Sequence, residues 1–403
     1  MPRTLACLPE GVRLTDFISL GVITKSFPRE RINALLEETD RQSRRQRKLP
    51  APVVVYYVIA LALYMQVAYG EVLRCLVEGL QWLGLDVRQL RRTGKSGISQ
   101  ARKRLGVKPM RRLYEEAVGP IATPQTKGAW YRKKWRLVSL DGSTLDLADT
   151  EGNDAEFGRP GASRGKSGFP QLRFVSLVEN GTHVLWGAQA GGYATGESTL
   201  AWDAVGRLQP GMLCLCDRNF FSYKLWEHAV KTRADQLWRV KNNANLPCLK
   251  RLPDGSYLSK VFASDKDRRH DRNGIVVRVI EYRLEGTKKP EELYRLITTV
   301  LDDEAAPAEE LAALYHERWE IETALDEFKT HLRGSRIILR SKQPKLVLQE
   351  FYGLMLAHFA VRSLMHEAAL REGIDPDELS FVHSVRVVRR KLLAFHAFPP
   401  SQA

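Results

Sequence analysis

Two aspartates and one glutamate stand where carboxylates are not expected. Asp141 interrupts the apolar run from Trp135 to Leu147. Asp217 ends the apolar run that starts at Met212, just before Arg218-Asn219-Phe220-Phe221. Glu322 lies on a segment with helical spacing. Either aspartate alone would more often be a turn or capping residue. Together, on strands expected to neighbour each other in one sheet, they can face one point. Carboxylates meeting at a point suit a hard cation such as Mg2+, which takes one or two of them plus phosphate oxygens of a substrate. Two-metal phosphoryl transfer needs ions about 3.5–4 Å apart, a spacing that shared carboxylates supply.

The helical segment adds three further groups. At 100° per residue, Tyr315, Arg318, Glu322 and Lys329 fall within an arc of about 60°. Leu314, Ile321, Leu325, Phe328 and Leu332 form a core stripe directly beside it. The plainer reading is an exposed Arg318–Glu322 pair supporting a surface helix by roughly 0.2–0.5 kcal/mol. That reading gives no reason for a tyrosine and a lone glutamate between two cations.

The elements that must position these groups follow from hydrophobic period. Residues 1 to about 120 read as helical. Pro28-Arg29-Glu30 opens a helix through Leu36, an apolar helix spans 53–69, and helical spacing continues over 70–82. A short basic helix, Ser99 to Leu105, is stopped by Gly106. From Lys134 the pattern is strand-like, and the Gly/Arg/Ser-rich stretch 151–170 reads as a mobile loop. Asn180-Gly181 between two apolar runs, Leu172–Glu179 and Thr182–Gly187, is a strong hairpin signal. A helix at Thr199–Leu208, a buried strand at Met212–Asp217, a helix at Glu227–Arg233 and a strand at Gln236–Lys241 follow. Residues 242–300 lean to β-structure, and long helices are expected at 308–332 and 346–370.

Charge points to the partner. The 403 residues leave room for two or three domains, and 62 Lys+Arg against 47 Asp+Glu give a net +15. Such an excess suggests a polyanion, nucleic acid before an anionic membrane surface. Residues 86–112 hold ten basic residues and one acid, Asp86. Within them Arg102, Lys103 and Arg104 are expected to contact DNA phosphates, the alternative being a solvated basic face. Five cysteines without a CxxC pair suggest a reduced, cytoplasmic protein. The apolar stretch Ala51 to Tyr69, preceded by Arg41, Arg44, Arg45, Arg47 and Lys48, has the pattern of a membrane helix. A helix buried on all sides of a helical domain gives the same signal and is preferred here, so no membrane is expected. No cleavable signal peptide is expected either. Gly161 to Ser167 falls one residue short of a phosphate-binding loop, with Pro160 where glycine is required, and His316 to Glu320 is not HExxH. Glu197 is read as a helix N-terminal charge, the alternative being an extra acid near the site.

Tyr315, Arg318, Glu322 and Lys329 reproduce the Tyr-x2-Arg-x3-Glu-x6-Lys pattern of DDE transposases of bacterial insertion sequences, the family named for insertion sequence four. Leu140-Asp141-Gly142-Ser143 resembles that family's first catalytic aspartate, and Cys216-Asp217-Arg218-Asn219-Phe220 resembles the block around the second. Ser341-Lys342-Gln343-Pro344 with Gln349-Glu350 resembles the segment after the catalytic helix, and the N-terminal third is similar to the family's N-terminal domain. The 105 residues from Asp217 to Glu322 fit the family's β-rich insertion. Asn219 departs from the glycine or glutamate frequent there.

The resemblance implies a helical DNA-binding domain over 1–120. It also implies an α/β ribonuclease-H-like core over 121–403, with a β-rich insertion subdomain at about 242–300. Asp141, Asp217 and Glu322 would be catalytic and hold two Mg2+, with Mn2+ able to substitute. Tyr315, Arg318 and Lys329 would grip phosphates, and Trp319 would stack near the cleaved end. The activity implied is cleavage of double-stranded DNA at the element's ends and joining of the 3′-OH to target DNA. A homodimer assembled on DNA and a nucleoid-associated, cytoplasmic location go with it. A non-catalytic or domesticated DNA-binding descendant is the alternative.

Overall fold

The computed structural model describes residues 18–43, 49–82, 93–162, 165–166, 168–283 and 293–397. Arg44, Arg45, Arg47, Lys48, Arg88, Arg91, Arg92, Ser163, Arg164 and Ser167 lie outside the described residues. Helices α1 (Ile18–Ser26), α2 (Arg29–Glu38), α3 (Ala51–Leu63), α4 (Tyr69–Trp82), α5 (Lys95–Leu105) and α6 (Lys108–Ala117) come first. Next are β1 (Trp130–Tyr131), β2 (Trp135–Asp146), α7 (Glu151–Phe157), β3 (Gly161–Ala162), β4 (Gly165–Lys166), β5 (Gln171–Glu179) and β6 (Val184–Gly192). Then follow α8 (Glu197–Val205), β7 (Met212–Cys216), α9 (Tyr223–Lys231), β8 (Asp235–Arg239), β9 (Lys250–Arg251), β10 (Tyr257–Val261), α10 (Asp265–Arg269), β11 (Ile275–Arg283) and β12 (Leu293–Thr298). Helices α11 (Ala308–His316) and α12 (Trp319–Asp326), a π-helical segment (Glu327–Leu332), α13 (Pro344–Glu372) and α14 (Phe381–Ala397) complete it.

The chain forms two units. One comprises Met1–Gly119, Leu145–Gln171 and Asp326–Ala403; the other comprises Pro120–Thr144 and Leu172–Leu325. One unit boundary falls between Gly119 and Pro120, and α13 and α14 pack with the N-terminal helices. The cause lies in α3, which buries every residue except Pro52 and so needs cover on all sides. α13 supplies much of it: Gly353 lies so close that a Cβ there would stand 2.7 Å from the Val58 carbonyl oxygen. The tyrosines of this stretch find partners inside the unit. Tyr56 donates to the Phe27 carbonyl at 2.8 Å, Tyr57 to Tyr69 at 3.0 Å and Tyr64 to Arg389 at 3.0 Å. At 13 residues α3 is well short of the ~20 that a span requires. Among the described residues no helix is long and apolar enough to cross a membrane.

The second unit is built on one mixed sheet ordered β6-β5-β2-β7-β8-β12-β11-β10-β9, with β1 on β2. Its centre is parallel, β2 with β7 and β7 with β8. β7 is buried along its whole length, as its unbroken apolar sequence requires. The β-rich stretch after residue 242 is present, yet it does not stand apart. β12 pairs antiparallel with β8, so the later strands extend the core sheet and cover what would be an open edge. Two local expectations fail. Residues 151–157 are helix rather than loop, because Thr150 accepts the Asn153 amide and caps α7. The expected single helix over 308–332 breaks into α11, α12 and the π-helical segment, so a uniform 100° advance does not hold along it.

Candidate active site

Strand register brings the two aspartates level. Leu140 of β2 pairs with Cys216 of β7 in a parallel ladder, so Asp141 and Asp217 each follow at the same end of adjacent strands. Adjacent strands lie about 4.8 Å apart, close enough for two carboxylates to share one cation. Asp141 is fixed further: its Oδ1 accepts its own neighbour's amide, Gly142 N–H, at 2.8 Å.

The third carboxylate arrives with the helix break. α11 ends at His316, Arg318 donates its amide to the Tyr315 carbonyl at 3.2 Å, and α12 restarts at Trp319. The Arg318 guanidinium then lies 3.8 Å from Asp141 Oδ2 and 3.7 Å from Glu322 Oε1. Burial works against its charge, but Tyr315, Asp141, Asp217 and Glu322 outweigh that and hold its pKa above the ordinary value. One internal cation thus stands among three carboxylates from β2, the end of β7 and α12. Hard oxygen donors gathered around a positive charge are the donor set a divalent cation such as Mg2+ takes. Burial pushes the Asp141 carboxyl up to about 6; the Gly142 amide and Arg318 oppose the rise, while Glu197 and Asp217 add to it.

Glu197, in the first turn of α8, is therefore more than a helix-end charge. A Cβ built on Gly142 would lie 3.2–3.3 Å from its side chain. A glycine after Asp141 leaves room for this fourth carboxylate, and nothing in the linear spacing of residues 142 and 197 signals it.

Two expected phosphate contacts are corrected by burial. Tyr315 is only 4% exposed and packs in the core beside Leu311 and Leu314, with its hydroxyl donating to the Cys216 carbonyl at 3.4 Å. It braces the strand end that carries Asp217 instead of facing outward. Arg102 is 2% exposed on the buried side of α5. Its guanidinium donates to Gln349 Oε1 at 3.2 Å, Ser341 Oγ at 3.1 Å and the Leu346 carbonyl at 3.0 Å, with Glu350 at 3.8 Å. So Ser341, Gln349 and Glu350, singled out by sequence, hold α5 inside its own unit. Lys103 and Arg104 are exposed on the same helix. Trp319 is 59% exposed, unusual for so large an apolar ring. Lys329 belongs to the helical unit, on the π-helical segment, where burial and Arg333 lower its pKa against the pull of Asp146 and Asp326.

Residues 17–115 match the family model of the insertion element 4 transposase N-terminal region, and residues 132–359 match that of the transposase DDE domain. The chain is 29% identical over 381 residues to the transposase InsG for insertion sequence element IS4 of Escherichia coli (strain K12), covering 93% of this chain and 83% of that one. It is 24% identical over 213 residues to the putative transposase InsZ of the same organism, covering 51% of this chain and 66% of that one. A cryo-EM structure of the piggyBac transposase synaptic complex with hairpin DNA overlays with a TM-score of 0.47 at 12% identity, covering 96% of this chain and 83% of that one. With its N-terminal helices and most of its sheet-borne region matched to these models, the chain belongs to the DDE transposases of the insertion element 4 family, enzymes that act on DNA.

Proposed function

We propose that this transposase binds the terminal inverted repeats of its element, cleaves the DNA there, and joins the freed 3′-OH ends to target DNA. The observation that carries this reading is the Arg318 guanidinium held among Asp141, Asp217 and Glu322. Three carboxylates gathered from two strand ends and a helix are an oxygen donor set suited to Mg2+, or Mn2+ in its place. When bound, such ions activate the attacking oxygen and stabilise the leaving one.

The chain's own residues do the rest. Asp141 and Asp217 would hold ions from the sheet, and Glu322 from the helix. Arg318, beside these carboxylates, would offer a phosphate oxygen a charge-assisted bond of ~1.5–3 kcal/mol. Trp319 offers a stacking face to an unpaired base at the end. Lys329 would contact phosphate, and Lys103 and Arg104 would anchor duplex flanking the cut. The helical unit would thus serve DNA binding and the sheet-based unit chemistry, in a homodimer formed on DNA in the bacterial cytoplasm. Nicking of a duplex carrying the element's end tests this: Glu322→Gln should bind that end as the wild type does and not cut it in Mg2+. Wild-type cutting by Glu322→Gln would refute the reading.

A further inference from the structure

The Asn180–Gly181 turn joins β5 to β6, and by sequence it is an ordinary hairpin tip. Such tips sit at the surface, because a buried loop must satisfy its polar groups by other means. Here Glu179 and Asn180 are 0% exposed, Thr182 1% and His183 3%. A turn so deeply buried needs a reason, and its hydrogen bonds supply one.

Asn180 bonds to a strand on one side and a helix break on the other. Its amide donates to the Leu137 carbonyl of β2 at 3.1 Å. Its side-chain oxygen accepts from Ser139 Oγ, also on β2, at 2.9 Å. Its side-chain nitrogen donates to the Glu317 carbonyl at 3.3 Å. The amide orientation is unambiguous, because a carbonyl can only accept and so must face the NH2 group. Ser139 is two residues before Asp141, and Glu317 is the residue before Arg318. Glu320 adds a second tie, its Oε2 accepting the Gly181 amide at 2.6 Å. From the far side the turn cannot retreat: Gly181 has φ +76°, and a Cβ there would lie 2.7 Å from the Ala129 amide nitrogen and the Lys127 carbonyl oxygen. Behind it, Glu179 accepts the Ile121 and Ala122 amides at 2.7 and 2.9 Å and pairs with Arg136.

We propose that Asn180 is a positioning residue of the catalytic site, setting the α11–α12 break, and hence Arg318 and Glu322, against the β2 strand that carries Asp141. This rests on the assignment of those residues in the proposed function. Helix and strand are distant in sequence, and across residues 317–318 the α-helical ladder gives way to tighter i→i−3 bonds from the Glu317, Arg318, Glu320 and Ile321 amides. Asn180 spans the two by satisfying groups on each.

The test compares Asn180→Asp with the wild-type full chain on a duplex carrying the element's end. The introduced carboxylate would still accept from Ser139 but would turn an oxygen toward the Glu317 carbonyl. The expected result is end binding without metal within about 2-fold of wild type, with single-turnover cleavage slowed at least 30-fold at temperatures far below melting. The Mn2+ concentration for half-maximal cleavage should rise at least 5-fold. Should that variant not fold, Ser139→Ala, Asn180→Ala and the double variant give the same readout: each single change slows cleavage, and the double change is no worse than Asn180→Ala. A cleavage loss that tracks only the unfolded fraction and recovers on cooling, with the Mn2+ midpoint unmoved, overturns the proposal. Asp217→Asn serves as the control. If it cleaves normally, the site assignment fails; if it is inactive while Asn180→Asp behaves as wild type, only this inference fails.

Discussion

Replacing Asp141 with asparagine should stabilise the metal-free protein while abolishing its chemistry. The carboxyl is pushed from an ordinary 3.8 to about 6, with burial the leading cause. A rise of roughly two pKa units, at 1.36 kcal/mol each, corresponds to about 3 kcal/mol of native-state penalty once the group is ionised. The side chain is a quarter exposed and Arg318 loses a partner on substitution, so this figure is an upper bound. The sign follows from linkage. Well below pH 3.8 folded and unfolded chains both carry the proton, and the group costs nothing. As pH rises from 3.8 toward 6 the unfolded chain ionises first, so the penalty grows, and above about 6 it is complete. Asp141→Asn should therefore match the wild type in urea unfolding at ~pH 3 and exceed it by about 1–3 kcal/mol at ~pH 7.5, an order-of-magnitude range from the same linkage. Added Mn2+ should stabilise the wild type and not the variant. A variant no more stable than wild type at pH 7.5, or a difference that ignores pH, would refute the argument that these carboxylates are held ready for a cation.

Other outcomes follow from burial and exposure. Neutralising Lys103 and Arg104 should flatten the salt dependence of DNA binding by roughly 0.9 log–log units per lost phosphate contact and leave urea stability within ~0.5 kcal/mol. Arg102→Ala should do the reverse: it takes the guanidinium away from buried Glu350 and Gln349, costs roughly 3–5 kcal/mol in urea unfolding, and leaves the salt slope of the folded protein unchanged. Trp319→Ala should weaken end binding by ~1–3 kcal/mol in a gel-shift titration, as expected for a lost base stack, with an unchanged melting temperature because the ring is 59% exposed. Arg362→Met should cost ~3–5 kcal/mol in the same unfolding assay by removing the guanidinium that pairs with buried Glu327 on the segment that carries Lys329.

Much of this was legible in the sequence because it depends on local period. The β2 and β7 strands announce themselves as apolar runs, and Asp141 and Asp217 are conspicuous for interrupting or ending them. The wholly apolar α3 is likewise plain, although only its packing against Gly353 shows that the C-terminal helices close over it. What stayed hidden is set by tertiary contact. Arg102 sits in a run of three cations that reads as one surface, yet the helix turns Arg102 inward and its neighbours outward. Tyr315 shares a polar strip with Arg318 on an ideal helix, but the break at residues 317–318 ends that helix and leaves the ring in the core. Asn180-Gly181 specifies a tight turn, and no local signal tells a buried turn from an exposed one. Glu197 meets Gly142 only because α8 returns to the sheet.

The most direct test of the central claim is a sulfur substitution at the DNA. A non-bridging oxygen of the scissile phosphate is replaced by sulfur, and cleavage by the wild-type chain is timed in Mg2+ and in Mn2+. Mg2+ prefers oxygen, whereas softer Mn2+ tolerates sulfur better. If Asp141, Asp217 and Glu322 hold ions that touch this phosphate, one of the two sulfur isomers should be cut poorly in Mg2+ and be restored by Mn2+. Equal cleavage of both isomers in both metals would contradict the account.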